Sequence, residues 1–352
     1  MHNTTRGIYN SCEEENPHII RALSALAHMG DQAKSKLQVS GLQAYYFTEK
    51  GVLKAVDSVN FDIPEGKSLG IVGESGCGKS TLGAALMRSM QYPGKIVGGH
   101  IALSGEELNG LDGKKFDGQV RWKRMAMVFQ GAMNALDPVF TVESQLREIL
   151  KQHGFEGDMR SKVADALKSV GLDESVAKRY PHELSGGMKQ RVVIAMGLLM
   201  EPEILIADEP TTALDVLVQA QIIALLKKLQ QEKKISVILI THDLALVAQI
   251  AEVIAIMYAG QIVEIGSSSE IYANPKHPYT RALIAAVPRL HSSDKKINFI
   301  PGSPPSLIDP ANGCRFYPRC PQAMEACNKD PPEFKTESGY VRCWLYEKNP
   351  ET

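Results

Sequence analysis

Residues 73–80 read Gly73-Glu74-Ser75-Gly76-Cys77-Gly78-Lys79-Ser80 and fit the pattern G-x-x-x-x-G-K-S. An apolar run, Ser68–Val72, precedes them, and a helical pattern from Lys79 to Met90 follows. Strand, glycine turn and helix form the context in which this pattern cradles phosphates. The glycines let the backbone curl so that its N–H groups point inward. A helix N-terminus adds positive potential, worth about 0.3–1 kcal/mol per interaction. Lys79 supplies a point charge for the β- and γ-phosphates, and Ser80 a hydroxyl suited to Mg²⁺. The expected nucleotide-contacting residues are Gly73, Ser75, Gly76, Cys77, Gly78, Lys79, Ser80 and Thr81. A chance glycine turn would not require Lys-Ser at its end.

Downstream, Ile204-Leu205-Ile206-Ala207 ends in Asp208-Glu209. A buried strand ending in two carboxylates is costly unless something cationic or protic meets them. An Mg²⁺–ATP complex would do so. Asp208 is then the expected metal ligand, and Glu209 the general base on the attacking water, a role typically worth about 10²–10⁴ in rate. The next apolar run, Val237–Ile240, ends in Thr241-His242-Asp243. Strand ends on one edge of a parallel sheet converge on one crevice. That places His242 near the γ-phosphate or the water, although an isolated histidine is more often structural.

Met125–Phe129, Ile204–Ala207, Val237–Ile240 and Val253–Met257 are each the length of a buried strand. With helical stretches between them they predict an α/β fold with a parallel sheet. Leu37–Phe47 and Val52–Ile63 are also strand-like. Three apolar stripes have helical period. They are Val142, Leu146, Ile149 and Leu150; Val163, Ala166, Leu167 and Val170, stopped by Gly171; and Val218, Ile222, Leu225, Leu226 and Leu229, after Asp215 as N-cap. Residues 131–190 lack strand patterns and read as an inserted helical lobe. Residues 1–36 are polar, acidic at Glu13–Glu15, and read as an extension. After about residue 266 Pro, Ser and Cys rise, which predicts a smaller second domain over 266–352 beside a main domain over 37–265.

A chain of 352 residues has room for two domains. Its net charge of -1 does not point to nucleic acid. No apolar run approaches the roughly 20 residues needed to cross a bilayer. The patch Ile19–Met29 is short and broken by Arg21 and His28, so no signal peptide is expected. A cytosolic location follows, where cysteines are thiols or metal ligands more often than disulfides.

Leu184-Ser185-Gly186-Gly187-Met188-Lys189-Gln190-Arg191 stands about twenty residues before the acidic strand. By chemistry alone it is a capped helix start with bare N–H groups, a second anion site. Together with the glycine loop it resembles the signature loop of ABC ATPases, over about residues 37–265. The resemblance implies the P-loop NTPase fold, with a RecA-like mixed sheet, an antiparallel β subdomain and the helical lobe. It implies that Gln130 is the Q-loop glutamine sensing Mg²⁺ and the γ-phosphate, Ala213-Leu214-Asp215 the D-loop, and His242 the switch histidine. Tyr46 is the expected adenine-stacking aromatic, between Tyr45 and Phe47. In this family ATP lies between two subunits, so Ser185, Gly186, Gly187 and Asp215 would serve the partner's nucleotide. A paired ATPase, a paralogue or a second copy, is therefore implied.

Residues 274–283, Asn274-Pro275-Lys276-His277-Pro278-Tyr279-Thr280-Arg281-Ala282-Leu283, with Ala286-Val287-Pro288, resemble the oligopeptide/dipeptide importer ATPases. That group implies two membrane permease subunits, an extracytoplasmic solute-binding protein and a place at the cytoplasmic face of the membrane. Members of the group also handle oligosaccharides or nickel. Soluble ABC ATPases of repair or translation usually carry long coiled-coil inserts or a second cassette, and neither is present. A non-hydrolysing subunit would have lost Lys79, Asp208, Glu209 or His242. Residues 1–36 have no counterpart in the group, and Cys77 stands where serine is common.

Cys314, Cys320, Cys327 and Cys343 follow the spacing C-x5-C-x6-C-x15-C. Four cysteines in so short a cytosolic stretch point to thiolate ligation. Tight pairs of the zinc type are missing. Iron–sulfur sites accept varied spacings, and Cys320-Pro321 echoes ferredoxin runs. The resemblance implies a [4Fe–4S] cluster; zinc and unligated thiols are the alternatives.

Overall fold

A computed structural model describes residues 35–286 and 300–347. Of the expected extension over 1–36, residues 1–34, including Glu13–Glu15 and Ile19–Met29, lie outside the described residues, as does the pair Val287-Pro288, while Ser35 and Lys36 belong to the first strand.

The strands, in chain order, are β1 (Ser35–Thr48), β2 (Gly51–Pro64), β3 (Ser68–Val72), β4 (Gly94–Leu103), β5 (Glu106–Glu107), β6 (Met125–Val128), β7 (Ile204–Asp208), β8 (Ser236–Thr241), β9 (Val253–Tyr258), β10 (Gln261–Ser267), β11 (Phe334–Lys335) and β12 (Tyr340–Val341). They form two sheets. The smaller has order β2-β1-β4-β5, with antiparallel pairs throughout. The larger runs β11-β12-β10-β9-β3-β8-β7-β6. Its central strands β9, β3, β8, β7 and β6 are parallel. Antiparallel β10, β12 and β11 extend one edge. The expected mixed sheet and antiparallel β subdomain are both present.

The continuous apolar runs follow from burial on both faces. Side chains alternate along a strand, and the two faces of the sheet feed two cores. Ile204, Ile206, Ile238 and Ile240 pack with Leu37, Phe61 and Leu82, toward the smaller sheet. Leu205, Ala207, Val237 and Leu239 pack with Leu146, Ile194, Ile222 and Leu226, on the helical side.

The helices are α1 (Lys79–Leu86), α2 (Gly113–Gln119), α3 (Val142–Gln152), α4 (Met159–Ser169), α5 (Gly186–Leu198), α6 (Val216–Lys233), α7 (Leu244–Ile250), α8 (Ser268–Ala273) and α9 (Pro278–Ala285). The three periodic stripes lie on α3, α4 and α6, with Val170 just past α4. Ile149 and Val218 are only partly buried, and the rest of the three stripes are buried. Gly171 follows α4 at φ 73°, the left-handed stop expected of it. Asp215 caps α6 by accepting from the Val218 N–H at 3.0 Å.

Three local expectations change. The helix after the glycine loop ends at Leu86 and not Met90, because Arg88 turns to φ 47°. β4 went unread: its Gly94, Gly98 and Gly99 break the apolar alternation on which a strand reading depends. The tail also contributes strands, since β12 pairs with β10 at Glu264–Val341 and Ile265–Tyr340. Two-residue strands carry no period, so composition alone hid them.

An aromatic cluster seats the tail. The Phe316 ring lies 5.2 Å from Tyr258 on β9, 5.4 Å from Tyr279 on α9 and 5.8 Å from His277. Phe316, Tyr258 and Tyr279 are almost fully buried. Desolvation drives the buried His277 down to about 3, so it stays neutral and accepts from the Tyr279 N–H. Phe316→Ala should cost about 3–5 kcal/mol in denaturant unfolding. A loss below about 1 kcal/mol would show that this cluster does not hold the tail.

Candidate functional site

β3, β7 and β8 are parallel neighbours, so their C-terminal ends meet at one edge. Val72 pairs with Thr241, and Asp208 with Ile240. The glycine loop, Asp208-Glu209 and His242 all begin there. The strand register therefore brings together residues that stand far apart in sequence.

Two glycines in the loop are sterically obligatory. A Cβ at Gly73 would lie 2.0 Å from the Met257 carbonyl, and one at Gly78 would lie 1.9 Å from the Ala55 carbonyl. Gly78 is also at φ 107°. The loop can pass between β2 and β9 only without side chains at these points. Gly76 is at φ 79° with open space around it. Ser75, Gly76 and Ser80 are exposed, Thr81 is half-buried, and Cys77 is buried.

Lys79 is buried, and its Nζ donates to the carbonyls of Gly73 at 2.8 Å and Glu74 at 3.0 Å. The ammonium is thus held at the loop's centre. Cys77 packs beneath it, and burial pushes the thiol up, with Lys79 partly offsetting this.

Asp208 is buried, and its Oδ1 has no hydrogen-bond partner among the described residues. Desolvation pushes this carboxyl up; the Ser80 hydroxyl and Lys79 temper the shift, while Glu209 adds to it. An unpaired buried carboxylate oxygen costs free energy. An acceptor of this kind beside a serine hydroxyl fits a hard cation such as Mg²⁺.

Glu209 is the next residue and sits at φ 49°, an uncommon conformation for a side-chain-bearing residue. The turn is fixed by its N–H donating to the Ile240 carbonyl at 2.8 Å. Glu209 Oε1 accepts from the His242 N–H at 3.1 Å and lies 2.8 Å from His242 Nδ1. Its Oε2 accepts from the Thr212 hydroxyl at 3.2 Å. Glu209 is buried, whereas the His242 side chain is 68% exposed. The pair presents a carboxylate behind an imidazole that faces outward. Thr212 had no sequence signal, because its role depends on the tight turn at Glu209.

Ser185 caps α5, its Oγ accepting from the Met188 N–H at 3.3 Å. Ser185 and Gly186 are exposed. Gly187 backs onto Val218, which a Cβ would approach to 2.9 Å, and Gly186 faces Leu214. The signature loop is therefore seated on the Ala213-Leu214-Asp215 turn. Gln130 is exposed just past β6, beside the exposed Phe129. On β1, Tyr45 donates to Asp57 at 2.5 Å and is committed there, while Tyr46 is half-exposed and packs over Gly94.

The four tail cysteines are all free thiols. The Cys314 N–H donates to the Cys327 carbonyl at 2.9 Å. Burial and the neighbouring Cys327, Cys343 and Cys320 push Cys314 up to about 11. Burial, with Cys320 and Cys327, likewise pushes Cys343 up to about 11. The other tail cysteines thus add to the effect of burial at Cys314 and Cys343. Among the described residues, however, no three His, Cys, Asp or Glu side chains stand in metal-binding geometry.

Comparison with known proteins agrees with this architecture. The ABC transporter family matches residues 56–212, and the oligopeptide/dipeptide transporter C-terminal region matches residues 263–327. The chain is 44% identical over 322 residues to the dipeptide transport ATP-binding protein DppD of Bacillus subtilis (strain 168), covering 90% of this chain and 96% of that one. It is 44% identical over 329 residues to the oligopeptide transport ATP-binding protein OppD of Salmonella typhimurium (strain LT2), covering 91% and 97%. A dimeric structure of the ATP-binding cassette MJ0796, in a post-hydrolysis state bound to ADP and Pi, superposes with a TM-score of 0.59 at 29% identity. It covers 66% of this chain and 98% of that one. A strand edge that gathers the glycine loop, the buried acids and the histidine, joined to a tail of the peptide-transporter type, has one reading: the chain belongs to the ABC transporter ATP-binding subunits, in the oligopeptide/dipeptide group.

Proposed function

We propose that this chain hydrolyses ATP to power uptake of di- or oligopeptides through a multisubunit importer. The observation that carries the ATPase reading is the unpaired Oδ1 of buried Asp208 beside Lys79, Ser80 and the Glu209–His242 pair. The two relatives named for dipeptide and oligopeptide transport support the cargo.

The loop N–H groups and Lys79 bind the β- and γ-phosphates, with Gly73, Ser75, Gly76, Cys77, Gly78 and Thr81 shaping the cradle. Tyr46 stacks on the adenine. Ser80, Asp208 and Gln130 hold Mg²⁺, which neutralises phosphate charge when bound. Glu209 takes the proton from the attacking water, and its carboxylate is already turned toward His242. His242 positions the water and the γ-phosphate.

Ser185, Gly186, Gly187 and Asp215 act on the nucleotide of a partner ATPase, an arrangement supported by their exposure at a helix N-terminus. Phe129 adjoins Gln130, Val139 and Phe140 follow it in the chain, and the exposure of all three supports docking of this segment on two membrane permeases. No helix among the described residues is long and apolar enough to cross a membrane. The relatives named for peptide transport support attachment to the cytoplasmic face through those permeases, with an extracytoplasmic binding protein delivering the peptide. Residues 37–265 act as the motor domain and 266–352 as the group-specific tail.

Cys314, Cys320, Cys327 and Cys343 would hold a [4Fe–4S] cluster only on rearranging, since no three donors stand in metal-binding geometry among the described residues. The reading rests on donor chemistry: four free thiols within one short segment, with Cys327, Cys343 and Cys320 among the causes that raise Cys314. Thiolate ligation would relieve the raised ionisation cost, because a bound metal stabilises the deprotonated form. The ATP chemistry needs no electron transfer, so the cluster's role is structural or regulatory.

Glu209→Gln should keep ATP binding, lower turnover by about 10²–10⁴ and accumulate an ATP-bound dimer in light scattering. Normal turnover would remove Glu209 as general base. Anaerobically purified protein should contain iron and acid-labile sulfide near four of each per chain, about the content of one cubane. Zinc in their place, or no metal, would contradict the cluster.

A further inference from the structure

The phosphate loop is gripped from outside by the cysteine-bearing tail. The Arg319 guanidinium faces the Glu74 carboxylate in a two-point pair, at 2.7 Å to Oε2 and 3.0 Å to Oε1. Its remaining donors are also engaged: Nε with the Pro301 carbonyl at 2.8 Å, and the others with the Tyr258 hydroxyl at 3.3 Å and the Ile300 carbonyl at 3.4 Å. All five guanidinium N–H groups therefore have acceptors. Arg319 is buried and held rigidly, so it presents a preorganised fork.

Every polar group of Glu74 is held. Its N–H donates to the Tyr279 hydroxyl at 3.0 Å, its carbonyl accepts from Lys79, and its carboxylate meets Arg319. Two of these three partners, Tyr279 and Arg319, come from the tail. Arg319 lies between Cys314 and Cys320, in the short turn Tyr317–Arg319.

We propose that Arg319 is a positioning residue for ATP binding, clamping the phosphate loop through Glu74 and neutralising a carboxylate that would otherwise oppose the phosphates. The clamp saves ordering cost when ATP binds, because the loop is already shaped. It also cancels a negative charge one residue from Gly73. The proposal rests on residues 73–80 being the ATP phosphate loop.

The test measures steady-state ATPase and nucleotide-free amide hydrogen exchange in the full chain. Arg319→Ala should raise the KM for ATP about tenfold, the scale expected for losing charged hydrogen bonds, with kcat at saturating ATP within about twofold. Arg319→Lys should recover only part of the loss, since a point charge cannot make the two-point contact. Adding Glu74→Gln to Arg319→Ala should recover affinity by removing the uncompensated carboxylate. A lowered Tm with unchanged KM would overturn the proposal and leave Arg319 a structural residue. If Arg319→Ala does not fold, Glu74→Gln alone decides: faster exchange over residues 73–78 supports the clamp, and unchanged exchange overturns it. Lys79→Ala is the separate control. If it retains ATP binding, the phosphate-loop reading itself fails; if it loses binding while Arg319→Ala does not shift KM, only the clamp fails.

Discussion

A buried carboxylate oxygen without a hydrogen-bond partner among the described residues governs this site. Asp208 ends a strand whose five residues are all buried, and its Oδ1 accepts from no group among the described residues. Folding therefore leaves a local cost that a cation and its phosphates can relieve. The surrounding geometry serves that deficit. Parallel pairing of β7 with β8 and of β8 with β3 brings Glu209, His242 and the glycine loop to the same edge. Gly73 and Gly78 let the loop lie against the Met257 and Ala55 carbonyls. Binding energy for Mg²⁺–ATP would thus come partly from relief of that local cost.

Much of this was legible in the sequence, for a physical reason. Strands buried on both faces must be apolar throughout, so Ile204–Ala207 and Val237–Ile240 stand out, and the charged residues at their ends stand out against them. Helix stripes were equally clear on α3, α4 and α6, where one face is buried. β4 escaped because glycines interrupt its alternation, and β11 and β12 because two residues cannot show a period. The backbone twist at Glu209 and its contact with Thr212 were invisible as well, since they depend on the turn into the Ile240 carbonyl.

The tail was legible in composition but not in its contacts. Cysteine spacing drew notice to residues 314–343, yet the groups that reach the phosphate loop are Arg319 and Tyr279. An arginine next to a cysteine carries no pattern of its own. Only the fold shows that β10, the Tyr258–Tyr279–Phe316 cluster and the Arg319–Glu74 pair bind the tail to the nucleotide edge. The group-specific segment is therefore built against the glycine loop of the proposed ATP site.

The most direct measurement compares unfolding of the wild-type chain and Asp208→Asn, each with and without Mg²⁺–ATP. Ligand at about 100 times its Kd stabilises a binding-competent chain by about 2.7 kcal/mol. The account predicts that the wild type gains this much. Asp208→Asn, having lost the unpaired charge that the cation answers, should gain less than half of it. Equal gains in both proteins would contradict the claim that Asp208 is the site's cation-seeking group.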